Sequence, residues 1–206
     1  VTESAYDRPL QAVILAGGRS RRMGSDKAWM DVGGVLVLPS LCERLMAITE
    51  GRVIVVRRDT AQEMPPLPEG VRVTEDKVPD AGPLGGLVSG MWVDLAPFTF
   101  ACACDMPWID IDLVRWMASL PPTPGEPLEQ VLLPIAEGRE QPLHALYHTS
   151  LPPLLLTRIQ EGARAMHGWY EGIGVRRIHP PEWRPIHPSG ASFRNLNTPA
   201  DLSALH

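Results

Sequence analysis

Between Leu15 and Lys27 the chain reads Leu15-Ala-Gly-Gly-Arg-Ser-Arg-Arg-Met-Gly-Ser-Asp-Lys27, so Arg19, Arg21, Arg22 and Lys27 crowd into nine residues. The paired glycines, Gly17 and Gly18, let backbone come close to a ligand and turn successive N–H groups toward an anion. Arg22 offers a fork and Lys27 a point charge, both suited to phosphate oxygens. The predicted chemistry is the binding of a small, concentrated anion. The segment is neither a P-loop, G-x-x-x-x-G-K-[ST], nor a dinucleotide fingerprint, G-x-G-x-x-G. Taken alone, the same residues also read as a turn with solvated arginines.

A second candidate is Cys104-Asp-Met-Pro107, which follows an apolar run. An apolar strand ending in Asp105 puts a carboxylate at the same sheet edge as the glycine loop. Such a carboxylate suits Mg2+, whose other ligands come from water and substrate phosphates. Asp76 offers a further carboxylate on that edge, and Gly82-Pro-Leu-Gly-Gly86 precedes a helix that its glycines allow to start near a nucleotide. Either aspartate by itself also reads as a cap or a loop ion pair, and the glycines as a tight turn. Third, Asn195 and Asn197 flank Leu196 on one side of a short extended stretch, where amides can orient a ligand, complete a metal shell or satisfy turn backbone.

Other residues carry less. Cys102 and Cys104 share a strand face and read as small core residues. His144 and His148 lie four apart on a strand pattern, which separates them as ligands, and no HExxH occurs. The six tryptophans are scattered and read as packing residues. No Ser, His and Asp set stands in a nucleophile-elbow context.

The elements that must position these residues alternate. Gln11–Ala16, Val53–Val56, Val71–Val73 and Thr99–Cys104 are predicted strands; Leu41–Glu50, Leu84–Asp94 and Asp112–Leu120 are predicted helices. The strands are apolar throughout, which indicates a mostly parallel sheet covered on both faces. After the proline-rich segment 121–127 the pattern predicts strand Val131–Ile135, a turn around Gly138, and strand Leu143–Tyr147 as an antiparallel pair. Helix Leu151–Glu161, strand Val175–Ile178 and a short helix capped by Thr198 follow. In an open parallel sheet ligands collect beyond the carboxyl ends of the strands, where the glycine loop and both aspartates fall.

Length and composition bound the answer. A chain of 206 residues suits one domain with a substantial core. A net charge of −5 argues against general nucleic-acid binding. No apolar stretch approaches the ~20 residues of a membrane span. Three cysteines are too few for a disulfide framework, and no signal-like segment opens the chain, so a cytoplasmic location is expected.

Taken together, Leu15 to Lys27, Glu75-Asp76, Gly82 to Gly86, Cys104 to Pro107 and Asn195-Leu-Asn197-Thr-Pro resemble, in order and over nearly the whole chain, the molybdenum cofactor guanylyltransferase (MobA) family. The resemblance implies a Rossmann-like three-layer α/β/α nucleotidyltransferase fold, mostly parallel with a small antiparallel part in the C-terminal half. It implies a single domain, with residues 10–120 forming the nucleotide half and 128–206 the acceptor half. It also implies transfer of GMP from GTP to molybdopterin or its molybdenum-loaded form, with pyrophosphate released and Mg2+ as cofactor. By position, Leu15, Ala16, Gly17 and Gly18 would meet the nucleotide through backbone, Lys27 the phosphates, Asp76 and Gly86 the GTP site, and Asp105 the metal. Arg22, Asn195 and Asn197, with Lys27 and Asp105, would form the catalytic set. Further proteins of cofactor biosynthesis or molybdoenzyme maturation are the implied partners.

Two departures stand out. Where the family often carries a guanine-reading asparagine this chain has Val56-Arg57-Arg58, and a Gly-basic-Pro-Leu segment is replaced by Gly34-Val-Leu-Val-Leu-Pro39. The second change predicts a late start for the next helix or different packing there. The rival readings are a cytidylyltransferase of the same pathway, a sugar-phosphate nucleotidyltransferase, and a non-catalytic nucleotide-binding regulatory module. Base choice separates the enzymes, and binding without turnover marks the module.

Overall fold

The computed structural model describes residues 8–17, 26–94, 96–126 and 128–196. Arg22, Gly18, Asn197 and the helix predicted from Thr198 lie outside the described residues.

Strands β1 (Leu10–Leu15), β4 (Val53–Arg57), β5 (Arg72–Glu75) and β6 (Phe98–Ala103) run parallel in the order β5-β4-β1-β6. β9 (His144–His148) is antiparallel to β6, β7 (Val131–Ala136) is antiparallel to β9, and β10 (Val175–Ile178) is parallel to β7 at the edge. β1 and β6 are buried along nearly their whole lengths, which is why their sequences show no polar alternation. The Gly138 turn closes first onto a two-residue strand, β8 (Arg139–Glu140), and the chain then continues into β9 beside β7. The expected antiparallel pair is therefore present, with one extra short strand at its turn.

Helices cover both faces. Leu10, Ala12 and Ile14 of β1 point to one side, packing with α1 (Val37–Met46) and α3 (Ile111–Ser119). Val13 and Leu15 point to the other, joined there by Ile54 and Val56 and covered by α2 (Gly82–Met91). α4 (Pro152–Gln160) packs beside α2 on this side. The result is the three-layer α/β/α arrangement that the alternating pattern predicts.

Three local differences have physical causes. α1 begins at Val37, not late, because Pro39 falls in its first turn, where its missing N–H has no intrahelical partner to lose. Upstream, Gly33 and Gly34 at φ +64° and +86° form the two-residue turn of a small hairpin, β2 (Asp31–Val32) with β3 (Val35–Leu36). α2 begins at Gly82 and ends at Met91, earlier at both ends than expected, with Pro83 in its first turn. The short helix α5 (Pro180–Trp183) was not signalled by any apolar period, being only four residues long. The tryptophans divide: Trp169 and Trp183 are core, whereas Trp29 and Trp92 are exposed.

Candidate active site

The carboxyl ends of β5, β4, β1 and β6 bring the predicted residues to one edge. At the end of β1, the Ala16 and Gly17 N–H groups both donate to the Val56 carbonyl, at 2.9 and 3.1 Å. A Cβ on Gly17 would lie 3.0 Å from the Arg58 nitrogen, so only glycine lets the two backbones approach this closely. The Cys104 N–H donates to the Leu15 carbonyl at 3.1 Å, which sets Asp105 beside the start of the glycine loop.

Lys27 opens a short 3-10 turn (Lys27–Trp29) capped by Asp26, whose carboxylate accepts the Ala28 N–H at 3.0 Å. From there Lys27 Nζ reaches Asp105 Oδ2 at 2.5 Å. Asp105 is 3% exposed, and its Oδ1 is buried with no hydrogen-bond partner among the described residues. A buried carboxylate oxygen left without a donor is costly, and a hard cation is the species it suits. A second carboxylate is not required, because Mg2+ commonly takes one or two from protein and the rest from water and phosphates. Among the described residues no group of three or more His, Cys, Asp or Glu is placed to hold a metal.

Asp76 lies elsewhere on the edge. Its N–H donates to the Arg57 carbonyl at 2.9 Å, which continues the β4–β5 ladder. Its Oδ1 accepts the Val78 N–H at 2.9 Å and the Ser89 hydroxyl at 3.2 Å, and burial raises its pKa above the usual carboxylate value. β5 and β6 are three strand spacings apart, roughly 14 Å, so Asp76 and Asp105 do not share one ion. Asp76 Oδ1 thus closes a local turn and ties it to α2 through Ser89, without capping that helix. Gly86 is buried, and a Cβ there would lie 3.1 Å from Leu15 Cδ2. Its smallness lets α2 sit against β1 and β4.

Asn195 is exposed, and the adjoining Leu196 N–H donates to the Asp105 carbonyl at 2.8 Å, so Leu196 is pinned to the loop that carries Asp105. The same segment is anchored further back. The buried Ser192 hydroxyl accepts the Asp110 N–H at 2.8 Å and contacts His144 Nε2 at 2.6 Å, while His187 Nδ1 meets Asp110 Oδ2 at 2.6 Å. His144 is thus a structural anchor. Burial lowers its pKa to about 4, which keeps it neutral.

Sequence reasoning missed three positioning residues. Arg44 of α1 donates to the carbonyls of Pro107, at 2.7 Å, and Ile109, tying down the loop after Asp105. Gln62 bridges both ends of the glycine loop. Ser192 links the C-terminal segment to β9 and α3. None lies in a recognisable motif; each acts on residues far away in the chain. Cys102 and Cys104, by contrast, are core as expected, and Cys42 is buried as well; all three are free, and burial pushes the Cys104 and Cys42 thiols up to about 12, which leaves no thiolate at the site.

The pattern of the MobA-like NTP transferase domain matches residues 12–173, which include most of β1, Lys27, Asp76 and Asp105. The chain belongs to the MobA-like NTP transferase family. Its chemistry is therefore nucleotidyl transfer. This MobA-like chain is 36% identical to a probable molybdenum cofactor guanylyltransferase of Chloroflexus aggregans, over 95% of its own length and 93% of that protein. Its fold matches the crystal structure of molybdopterin-guanine dinucleotide biosynthesis protein A from Archaeoglobus fulgidus, with a TM-score of 0.72 at 21% identity, covering 94% of this chain and 95% of that one. The 2-C-methyl-D-erythritol 4-phosphate cytidylyltransferase of Thermus thermophilus shares the fold at a TM-score of 0.65 and 16% identity, covering 94% and 95%. Among the described residues no helix is long and apolar enough to cross a membrane.

Proposed function

We propose that the protein transfers GMP from GTP to the terminal phosphate of molybdopterin, molybdenum-loaded or not, and releases pyrophosphate. The observation that carries the reading is the Lys27–Asp105 pair beside the Ala16–Gly17 backbone, with Asp105 Oδ1 unbonded among the described residues and suited to a cation. The family membership and the guanylyltransferase relatives supply the substrate pair.

In this reading an oxygen of the pterin phosphate attacks the α-phosphorus of GTP, the bond to the bridging α–β oxygen breaks, and pyrophosphate leaves with that oxygen. The attacking oxygen is already anionic, so no strong protein base is needed. Asp105 would hold Mg2+, which supplies charge neutralisation on the α-phosphate and the departing pyrophosphate. Lys27, with Arg22 and the Gly18 backbone from the loop, neutralises the remaining phosphate charge. Leu15, Ala16 and Gly17 offer the nucleotide a close backbone surface to pack on, since the Ala16 and Gly17 N–H groups and the Leu15 and Ala16 carbonyls are bonded within the protein. Asp76 lies on the nucleoside side, with Gly86 setting how closely α2 approaches. Asn195 and Asn197 orient the acceptor near Asp105. The chain works as one domain, with 10–120 taking the nucleotide and 128–206 the acceptor, in the cytoplasm. Product passes on to proteins of cofactor biosynthesis or molybdoenzyme maturation.

Base choice is the sharpest test, because the Arg57 side chain pairs with Glu75 at 3.1 Å and the Val56 carbonyl is already taken by Ala16 and Gly17. Pyrophosphate release is compared with GTP, CTP, UTP and ATP in the presence of molybdopterin. Turnover with GTP alone is expected. Turnover with CTP but not GTP makes the protein a cytidylyltransferase, and nucleotide binding without turnover makes it a regulatory module.

A further inference from the structure

We infer that Gln62 is a positioning residue that fixes both stems of the glycine loop, and through them Lys27, for binding of the nucleoside triphosphate. The inference rests on the nucleotidyl-transfer reading of the site. Gln62 belongs to the irregular segment after β4 and is 2% exposed. Its Nε2 donates to the Ala16 carbonyl at 2.9 Å on one stem and to both Asp26 carboxylate oxygens, each at 3.0 Å, on the other. Its Oε1 accepts the Arg58 N–H at 2.6 Å, from the backbone that presses on Gly17.

The partners leave the amide one orientation. The Ala16 carbonyl and the Asp26 carboxylate only accept, and the Arg58 N–H only donates, so a flipped amide would set oxygen against three oxygens. The backbone of Gln62 is held as well, its N–H donating to Asp59 Oδ1 at 3.0 Å. One buried side chain therefore joins residues 46 and 36 positions away in sequence. Asp26 is the residue before Lys27 and caps the turn that carries it, so the position of Lys27 Nζ at Asp105 depends on this clasp. Filling space would need only an apolar side chain; three partners of fixed polarity require an amide.

The test uses Gln62→Met, which keeps length and loses every hydrogen bond, and Gln62→Glu, which keeps the Arg58 bond but turns the donor into an acceptor facing Asp26, with Asp59 the next carboxylate nearby. Steady-state turnover with GTP and molybdopterin, and calorimetric binding of GTP with Mg2+, are measured for folded protein. The expected result is a KM for GTP raised about tenfold in Gln62→Met with kcat much less affected. In Gln62→Glu the rise is larger at about pH 8 and shrinks toward about pH 6, as the new carboxyl, raised by its acceptor neighbours, regains a proton to donate. If Gln62→Met does not fold, the pH comparison in Gln62→Glu decides. A KM and Kd for GTP within about twofold of wild type, with no added pH dependence in Gln62→Glu, overturn the inference. Wild-type protein that binds GTP but releases no pyrophosphate sinks the catalytic reading instead, and Gln62 is then judged on the binding constants alone.

Discussion

Lys27 Nζ sits 2.5 Å from Asp105 Oδ2 although the two residues are 78 positions apart, one on a turn after the glycine loop and the other just beyond β6. The pair neutralises a carboxylate that burial would otherwise penalise, and it leaves Oδ1 without a partner among the described residues. A cation at Oδ1, with a triphosphate in front of Lys27, would give that oxygen the partner it lacks among the described residues.

Removal of the carboxylate should cost more than removal of the cation. For Asp105→Ala the expected loss in kcat is about a thousandfold with a strong shift in Mg2+ dependence, whereas Lys27→Ala chiefly raises KM for the triphosphate, by about tenfold to a hundredfold. Turnover measured against Mg2+ concentration separates them. Unchanged turnover of the Asp105 variant at limiting Mg2+ refutes the metal role.

Arg44 should matter to the same loop from behind. Arg44→Met removes two donors from the Pro107 and Ile109 carbonyls and should destabilise the protein by about 1–2 kcal/mol. Urea unfolding gives that figure. The Mg2+ concentration needed for half-maximal turnover should rise as well, because the loop carrying Asp105 loses its anchor. A stability loss with an unchanged Mg2+ requirement would show that Arg44 supports the fold without placing the site.

His144 sets an acid limit. Its pKa falls from an ordinary value near 6.5 to about 4 on folding, because burial disfavours the imidazolium, so the unfolded chain binds more protons between those two values. Stability is therefore full above about pH 6.5 and declines as pH falls toward 4, by about 3 kcal/mol from this group at the lower end. Urea midpoints at neutral and mildly acidic pH measure the slope, and His144→Gln should flatten it. An equal slope in the variant would assign the acid sensitivity elsewhere.

The glycines of α2 should respond unequally to alanine. A Cβ at Gly90 would lie 2.5 Å from Val13 Cγ1 and 2.8 Å from its Cγ2, against a short, stiff side chain in the core. Gly90→Ala should cost about 2 kcal/mol despite the better helix propensity of alanine. At Gly86 the nearest atom is Leu15 Cδ2 at 3.1 Å, the end of a flexible side chain that can shift by a few tenths of an ångström, so Gly86→Ala should cost clearly less than Gly90→Ala. Thermal or urea unfolding of the two variants checks the order.

Much of this arrangement was legible before the structure. β1, β4, β6 and β7 stand out as apolar runs, and because parallel strands end at a common edge, Asp105 and the glycine loop could be placed together. Helix limits were less legible. α1 starts at Val37 because proline is harmless in a first turn, a fact that periodicity alone does not register. Asp76 and Asp105 were both seen, but their separation follows from strand order, which sequence pattern leaves undetermined. Gln62, Arg44 and Ser192 were invisible for a different reason. Each is defined by partners dozens of residues away, and a lone Gln, Arg or Ser carries no local signature of such a role.

The most direct measurement is a crystal structure of the protein with a non-hydrolysable GTP analogue and Mg2+. The account predicts phosphates lying over the Ala16–Gly17 backbone, Lys27 Nζ against their oxygens, and the cation bonded to Asp105 Oδ1. A triphosphate bound away from that edge, with Lys27 still paired to Asp105 and no cation there, would contradict it.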